Sequence, residues 1–431
     1  MKMVEDCIHL SIPDLTSESA WPNQPLPEDQ QWLRSIARLK PEQFLLDVGD
    51  RNGAGADPAP ILDVDLNGWR AGRYIGEIHH QGRTLQIRPR LGIETVAQWI
   101  SAIHNVHVLP DVAGGSRSYQ PLVIQLTAAL WRASILDAGR HTLAREKVKR
   151  KSAGLRVRGK LDVAATGKLR AAGDPELVSN STFRTLDNST NAVVVAADRV
   201  INSRMGSPRW RGPRIEDQLI VLKRAVGSNP QLPSRGELKR ARYSPLEVKW
   251  RKTAELSHMI ASNRLLRHNA EASDTYGLLI DVAELWERFV LHCASEAFEA
   301  PVIHGTSTTV EHRLLSSVAH PDRGMGRLYP DILINPSTET NSYRCIIDAK
   351  YKPLTQPRGV DREDLYQIHA YSQAFNAQRS LLAYPVLDGD TAFAQRFSPW
   401  DTGADAEISF LRLPIEQTEC VAALQAWDSG A

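Results

Sequence analysis

The chain has 431 residues, of which 42% are hydrophobic and 24% charged, and its formal net charge is only +2. That length allows two to four domains at roughly 100–200 residues each, and the composition excludes a disordered chain, a collagen-like rod and a long coiled coil. No apolar run is long enough for a membrane helix, and the acids Glu5 and Asp6 stand where a signal peptide places its apolar stretch, so a cytoplasmic location without a membrane partner is expected.

Residues 1–30, rich in Pro, Ser, Asp and Glu, read as a loose, extended arm. Residues 31–115 form a β-rich segment with mostly strand-like patterning. Within it, Tyr74–His79 and Thr84–Arg88 alternate apolar and polar residues around Gln81-Gly82, which predicts a hairpin closed by Pro89. Gly53–Pro60 is a loop of Gly, Ala and Pro, and Glu94–Ile103 a short helix. Residues 116–270 read as a mainly helical middle region, with helices over Pro121–Ala138, Asn188–Ser203 and Asp217–Val226 and one or two over Pro245–Asn269. A strand is expected where Leu155-Arg-Val-Arg-Gly-Lys-Leu-Asp-Val alternates.

From residue 271 the character changes. Thr275–Phe298 reads as one amphipathic helix, with Leu278, Val282, Leu285, Trp286, Phe289 and Cys293 on a stripe. Strands follow at Thr309–Leu315, Leu328–Ile334 and Tyr343–Lys350, then a helix at Asp361–Asn376 and strands at Ser380–Pro385 and Glu407–Leu413. This order predicts an α/β core around a mixed sheet, and an α+β multidomain protein as a whole.

The near-neutral total hides an uneven distribution. Residues 140–170 carry eleven basic residues, including Lys147, Lys149, Arg150, Lys151, Arg156 and Arg158, against the acids Glu146 and Asp162. A basic middle in a neutral chain can form a phosphate-binding face, or it can simply be a solvated surface.

Chemistry is concentrated in the last third. Asp331 opens an apolar strand, and Asp348 and Lys350 close the next one. Two residues apart on a strand, Asp348 and Lys350 share a face, on which Asp331 can converge. Two carboxylates are hard oxygen ligands suited to Mg²⁺, which can activate water and neutralise charge on a phosphate. Lys350 can hold that water or stabilise the transition state. Gln367 and Tyr371, four apart on the following helix, lie on one face able to lean over the site.

These blocks resemble the PD-(D/E)xK nucleases of the branch that adds a Gln-x-x-x-Tyr helix. More closely, the chain is similar to the McrC family, the nuclease subunits of modified-cytosine-dependent McrBC restriction systems. The likeness rests on Leu279-Ile-Asp-Val-Ala-Glu-Leu-Trp-Glu-Arg-Phe-Val, Arg327-Leu-Tyr-Pro-Asp-Ile-Leu-Ile, Ile347-Asp-Ala-Lys-Tyr-Lys and Asp364-Leu-Tyr-Gln-Ile-His-Ala-Tyr. Upstream, Leu85-Gln-Ile-Arg-Pro-Arg, Leu155-Arg-Val-Arg-Gly-Lys-Leu-Asp and Phe183-Arg-Thr-Leu-Asp-Asn-Ser-Thr-Asn-Ala add to it. The resemblance implies a restriction-endonuclease-like core over residues 271–431. It implies Asp331 and Asp348 as ligands of Mg²⁺ (or Mn²⁺), with the Ala349 carbonyl as a third, and Lys350 as the catalytic lysine. Glu287 would complete the metal shell, with Glu284 as substitute, and Gln367 would join the site.

The resemblance further implies a partner, an McrB-like AAA+ GTPase ring bound and stimulated through residues 31–115, and a double-stranded DNA substrate. Lys147, Lys149, Arg150, Lys151, Arg156 and Arg158 would meet DNA or that partner. No Gly-x-x-x-x-Gly-Lys-Ser/Thr loop occurs, so the chain itself is expected to bind no nucleotide. Rival readings are a stand-alone nuclease of the same superfamily and a non-catalytic adaptor that activates an AAA+ ring.

Other candidates are weaker. The four cysteines are scattered without CxxC, which excludes a disulfide framework or zinc ribbon. His79 and His80 face opposite ways on a strand, and His104 and His107 lack partner ligands. Trp210 and Trp250 lie in basic sequence and can stack on bases, but core packing is the better expectation.

Overall fold

The computed structural model describes residues 8–45, 59–65, 68–104, 120–206, 208–262, 275–307, 312–320, 323–337, 342–354, 359–386, 399–402 and 406–429. Two compact units emerge: residues 1–129 together with 270–431, and residues 130–269. The amino-terminal and carboxy-terminal segments, expected as separate domains, therefore form one unit.

A shared strand is the physical reason. The amino-terminal sheet runs in the order Ile8–Pro13, Arg83–Arg88, Tyr74–His80, Tyr276–Asp281. The expected helix over Thr275–Phe298 is thus corrected: its first residues are a strand antiparallel to Tyr74–His80, and the helix begins at Val282. Tyr276-Gly-Leu-Leu-Ile-Asp is buried on both faces, and such a run reads alike as strand or buried helix. Gly76 sits opposite Leu279, where a Cβ would collide with the Leu278 carbonyl, so only glycine permits the pairing.

The amino-terminal arm is also corrected. Ile8–Pro13 pairs in parallel with Arg83–Arg88, because Leu10 and Ile12 alternate inward and are buried. The predicted hairpin forms, with Gln81 and Gly82 both at positive φ as a tight two-residue turn requires. Within the strand-like segment, Gln30–Ala37 is instead a helix that buries Trp32, Leu33 and Ile36. Most of the Gly53–Pro60 loop lies outside the described residues.

The second sheet of this unit has six strands in the order Val302–His304, Ile332–Ser337, Ser342–Ala349, Ala377–Val386, Glu407–Pro414, Trp400–Asp401. It is mixed, with Ser342–Ala349, Ala377–Val386 and Glu407–Pro414 mutually parallel and the outer pairings antiparallel. Helix Arg362–Ala374 covers one face, packing Ile368 and Tyr371 against Leu333, Ile346 and Leu382. Helix Val282–Ala297 lies on the other, where Trp286 Nε1 donates to the Ala383 carbonyl at 3.3 Å. Trp99 stacks on Phe289 with centroids 5.5 Å apart and donates to the Ile415 carbonyl, tying helix Ile93–His104 to this layer. The strand expected at Thr309–Leu315 is one arm of a two-stranded ribbon, Arg313–Ser316 with Gly324–Arg327.

The unit 130–269 packs helices Ser189–Met205, Pro213–Val226 and Trp250–Ser262 around Val193, Leu219 and Trp250. It also carries a three-stranded antiparallel sheet, Glu146–Gly154, Leu177–Thr185, Lys160–Leu161. The strand expected from Leu155 onward is corrected: the basic run itself is the long strand, and residues 155–159 turn between strands. Its face is almost wholly exposed, so no apolar alternation marks it. Trp250 is fully buried and donates to the Thr142 carbonyl, as core packing requires. Among the described residues, no helix is long and apolar enough to cross a membrane.

Candidate active site

Strand register builds the site. Ile332 pairs with Ile347, so Asp331, just before one strand, stands beside Asp348 near the end of the next. Asp331 Oδ2 accepts the Ala349 N–H at 2.7 Å, which fixes the carboxylate to the neighbouring strand. Lys350 shares the Asp348 face, and its Nζ lies 2.7 Å from Asp348 Oδ2. Lys350 Nζ also donates to Gln367 Oε1 at 2.7 Å. Gln367 Nε2 donates to the Tyr371 hydroxyl at 2.9 Å, which donates to the Tyr329 carbonyl at 3.1 Å. One helical turn separates Gln367 from Tyr371, so a single face of Arg362–Ala374 delivers both.

The electrostatics follow from enclosure. Burial and then the Asp348 charge push the Asp331 carboxyl up to about 8, against the opposing Lys350. Burial also raises Asp348, which Lys350 offsets in part. Burial opposes charge on Lys350, but the Asp348 and Asp331 carboxylates outweigh it and hold the ammonium well above the ordinary lysine range. These two acids therefore favour the charged form of Lys350. Burial raises the Tyr371 hydroxyl to about 12, so it serves as a neutral hydrogen-bonding group.

Glu287 belongs to the same field without joining the same cluster. Burial, then the Asp331 and Asp281 charges, raise its carboxyl well above the usual range, and Arg73 opposes them. Among the described residues, no three His, Cys, Asp or Glu side chains form a group that holds a metal by itself. Asp331 and Asp348 are brought together, and Glu287 faces them from the central helix. Glu284, its expected substitute, is paired with Arg288 at 3.2 Å.

Several residues at the site carried no signal in the sequence. Arg73 reaches from the start of the amino-terminal hairpin to Asp281, 3.0 Å away, and Asp281 caps the central helix through the N–H groups of Ala283 and Glu284. Asp364 lies between two lysines, 3.8 Å from Lys350 and 2.7 Å from Lys352, and Lys352 also meets Asp361. On the far side of the strand end, Asp14 accepts the Arg90 N–H at 2.5 Å, and the Arg90 guanidinium covers the Tyr351 ring at 4.6 Å. Arg73 with Asp281, Asp14 with Arg90 and Arg90 with Tyr351 are each far apart along the chain, beyond the reach of any periodicity.

The other candidates lie elsewhere. Lys147, Lys149, Arg150 and Lys151 are exposed on the long strand of the unit 130–269, and Arg156 and Arg158 on the turn after it. Lys151 is engaged by Asp162 at 2.9 Å. His79 is buried, stacked on Tyr276 and bonded to Thr84, as a core residue is. Cys293, Cys345 and Cys420 are free and buried.

Chemically, the arrangement is a pair of enclosed, mutually repelling carboxylates with one fixed ammonium beside them. The donors are hard oxygens, and a small divalent cation would relieve the mutual repulsion that raises them. Asp331 and Asp348 would hold it, with Glu287 near enough to add its charge.

A model of the family described as McrBC 5-methylcytosine restriction system component matches residues 69–385. Among solved structures, the chain resembles one from the assembly of Thermococcus gammatolerans McrB AAA+ hexamers with bound McrC, at a TM-score of 0.55 and 14% identity, covering 98% of this chain and 99% of that one. A second chain, from a Thermococcus gammatolerans McrBC complex, aligns with a TM-score of 0.40 and 14% identity over 67% of this chain and 87% of its own. No curated protein matches.

Proposed function

The chain belongs to the McrBC 5-methylcytosine restriction system component family, and from this premise we propose that it is an McrC-type member, the Mg²⁺-dependent DNA endonuclease subunit of a GTP-driven complex directed at modified cytosine. In this reading the unit bearing the six-stranded sheet has a PD-(D/E)xK core. The observation that carries it is the convergence of Asp331, Asp348 and Lys350 on one strand pair, with Gln367 bonded to the lysine.

The division of labour follows from the geometry. Asp331 and Asp348 would hold Mg²⁺, whose chemistry there would be Lewis-acid stabilisation of charge on the scissile phosphate and activation of water. Lys350, as an ammonium, places a positive charge where negative charge grows on the phosphate, and Gln367 fixes its direction. Asp331 is oriented by the Ala349 N–H, which engages its Oδ2. Water attacks phosphorus as the P–O3′ bond breaks; a proton of the water passes to solvent and the departing 3′ oxygen takes one from solvent, leaving a 5′-phosphate and a 3′-hydroxyl.

The partner proposed is an McrB-like AAA+ GTPase ring, which this chain binds and stimulates. The test is cleavage of methylated and unmethylated plasmid with Mg²⁺, with and without that ring and GTP. Cleavage that requires methylation, ring and GTP supports the reading. Metal-dependent cleavage by the chain alone favours a stand-alone nuclease. GTPase stimulation without cleavage in any condition identifies an adaptor.

A further inference from the structure

Strand Val302–His304 lies at one edge of the six-stranded sheet, next to the strand that Asp331 precedes. His304 pairs with Ile332, the residue after Asp331. Directly opposed residues of an antiparallel pair lie side by side, so the imidazole stands one strand away from the catalytic carboxylate's own strand. The charged groups that reach it are Arg288 and Glu284 of helix Val282–Ala297, the helix that carries Glu287. The turn after His304 is pressed against the catalytic strand. The Gly305 N–H donates to the Asp331 carbonyl at 3.3 Å, and a Cβ at Gly305 would collide with the Pro330 carbonyl, so this approach requires glycine.

The neighbours of the His304 ring hold it in one protonation state. The Thr306 backbone N–H, which can only donate, lies 3.2 Å from Nδ1. The Thr306 hydroxyl lies 2.7 Å from the same nitrogen. Nδ1 must therefore accept, which leaves the ring proton on Nε2. Burial, and then the Arg288 charge, hold the imidazole below its ordinary range, with Glu284 opposing. Geometry and field agree on a neutral ring that presents an Nε2–H donor. Two roles are closed to such a ring. A metal-binding histidine coordinates through a bare nitrogen and donates from the other, and a general base needs a free lone pair. Donation from Nε2 remains, and that atom has no partner among the described residues.

We propose that His304 is a substrate contact of the nuclease site, its Nε2–H donating to a phosphate oxygen of the DNA strand beside Asp331, on the side of helix Val282–Ala297. The inference rests on the nuclease reading above and adds to it a residue that no motif marks. Its lack of charge suits that place. A second cation there would compete with the metal for the carboxylates, whereas a neutral donor binds a phosphate oxygen without repelling the metal.

The test is single-turnover cleavage of methylated plasmid by the full chain with its AAA+ partner, GTP and Mg²⁺, read as the maximal rate and the half-saturating concentration of the complex across a salt series. His304→Ala is expected to raise the half-saturating concentration about tenfold, the scale of a hydrogen bond to a charged group. The salt slope should not change, because a neutral donor releases no counterion. His304→Gln keeps a neutral N–H donor and is expected to recover most of the loss. Circular dichroism and GTPase stimulation check that the variants fold and assemble. Wild-type behaviour of His304→Ala overturns the contact. A salt slope reduced by about 0.9 in His304→Ala means that the ring binds as a cation, which also overturns it. Equal losses in His304→Ala and His304→Gln assign the effect to packing and overturn it as well. In each of these cases cleavage by the wild type leaves the nuclease reading standing. Absence of cleavage by the wild type in every condition overturns the nuclease reading itself, and this contact with it.

Discussion

The Arg73 guanidinium lies 3.0 Å from the Asp281 carboxylate, joining the amino-terminal hairpin to the first turn of the helix that carries Glu287. Asp281 is buried and accepts the N–H groups of Ala283 and Glu284, and the Arg73 carbonyl accepts the Val282 N–H at 3.0 Å. Strand Tyr276–Asp281 therefore links two sheets: it closes the amino-terminal sheet and leads directly into helix Val282–Ala297, which packs on the six-stranded sheet.

Removing one partner of a buried pair leaves the other charge uncompensated. Arg73→Gln should destabilise the protein by about 2–3 kcal/mol, toward the low end for a buried pair because the Arg73 side chain is 36% exposed. Arg73→Lys should recover part of this loss. Urea unfolding of the three proteins checks it, and equal midpoints would remove Arg73 from the account.

Lys350→Ala should lower the cleavage rate by about 100-fold or more, the usual effect of deleting a charge that meets the transition state. If Lys350 acts as a charge and not as a base, the loss should be the same across neutral pH. Lys350→Arg should not restore the rate, because the guanidinium fork does not fit a site shaped for a point charge. Single-turnover rates from about pH 6 to 8, roughly 1 unit either side of neutrality, decide this.

Tyr371 acts on Lys350 only through Gln367. Gln367→Ala removes a hydrogen bond to a charged group and should slow cleavage roughly tenfold. Tyr371→Phe should cost less alone and almost nothing once Gln367 is already Ala. A double-mutant cycle measures this, and additive losses would show that the hydroxyl acts independently.

Asp14 supplies a pH signature away from the reacting atoms. Burial pushes its carboxyl from 3.8 to about 6, with Arg90 opposing. The folded state thus binds this proton more tightly than the unfolded chain. Its stabilising contribution is present below the ordinary carboxylate range and is lost as pH rises from 3.8 to about 6. Asp14→Asn should flatten that part of the stability curve relative to wild type. Parallel curves by denaturant unfolding would contradict it.

Much of the site was legible because local rules placed it. Strand alternation put Asp348 and Lys350 on one face, helical spacing put Gln367 above Tyr371, and short apolar runs bounded the strands. Three features escaped for physical reasons. Tyr276–Asp281 is apolar throughout, so period alone does not separate a buried strand from the helix that follows it. Glu146–Gly154 is exposed on nearly every residue, so no apolar alternation betrays a strand in the basic run. Arg73–Asp281 and Arg90–Tyr351 are tertiary contacts set by the sheet order, and neither residue of a pair carries a mark of the other.

The central claim is that this site cuts DNA, and one comparison tests it most directly. Wild type and Asp348→Ala are assayed on methylated plasmid with Mg²⁺, GTP and the AAA+ partner, and GTPase stimulation is read on the same samples. Asp348→Ala is expected to lose cleavage while stimulating the GTPase as wild type does. Cleavage by Asp348→Ala at the wild-type rate would contradict it and move the chemistry to another protein or another site.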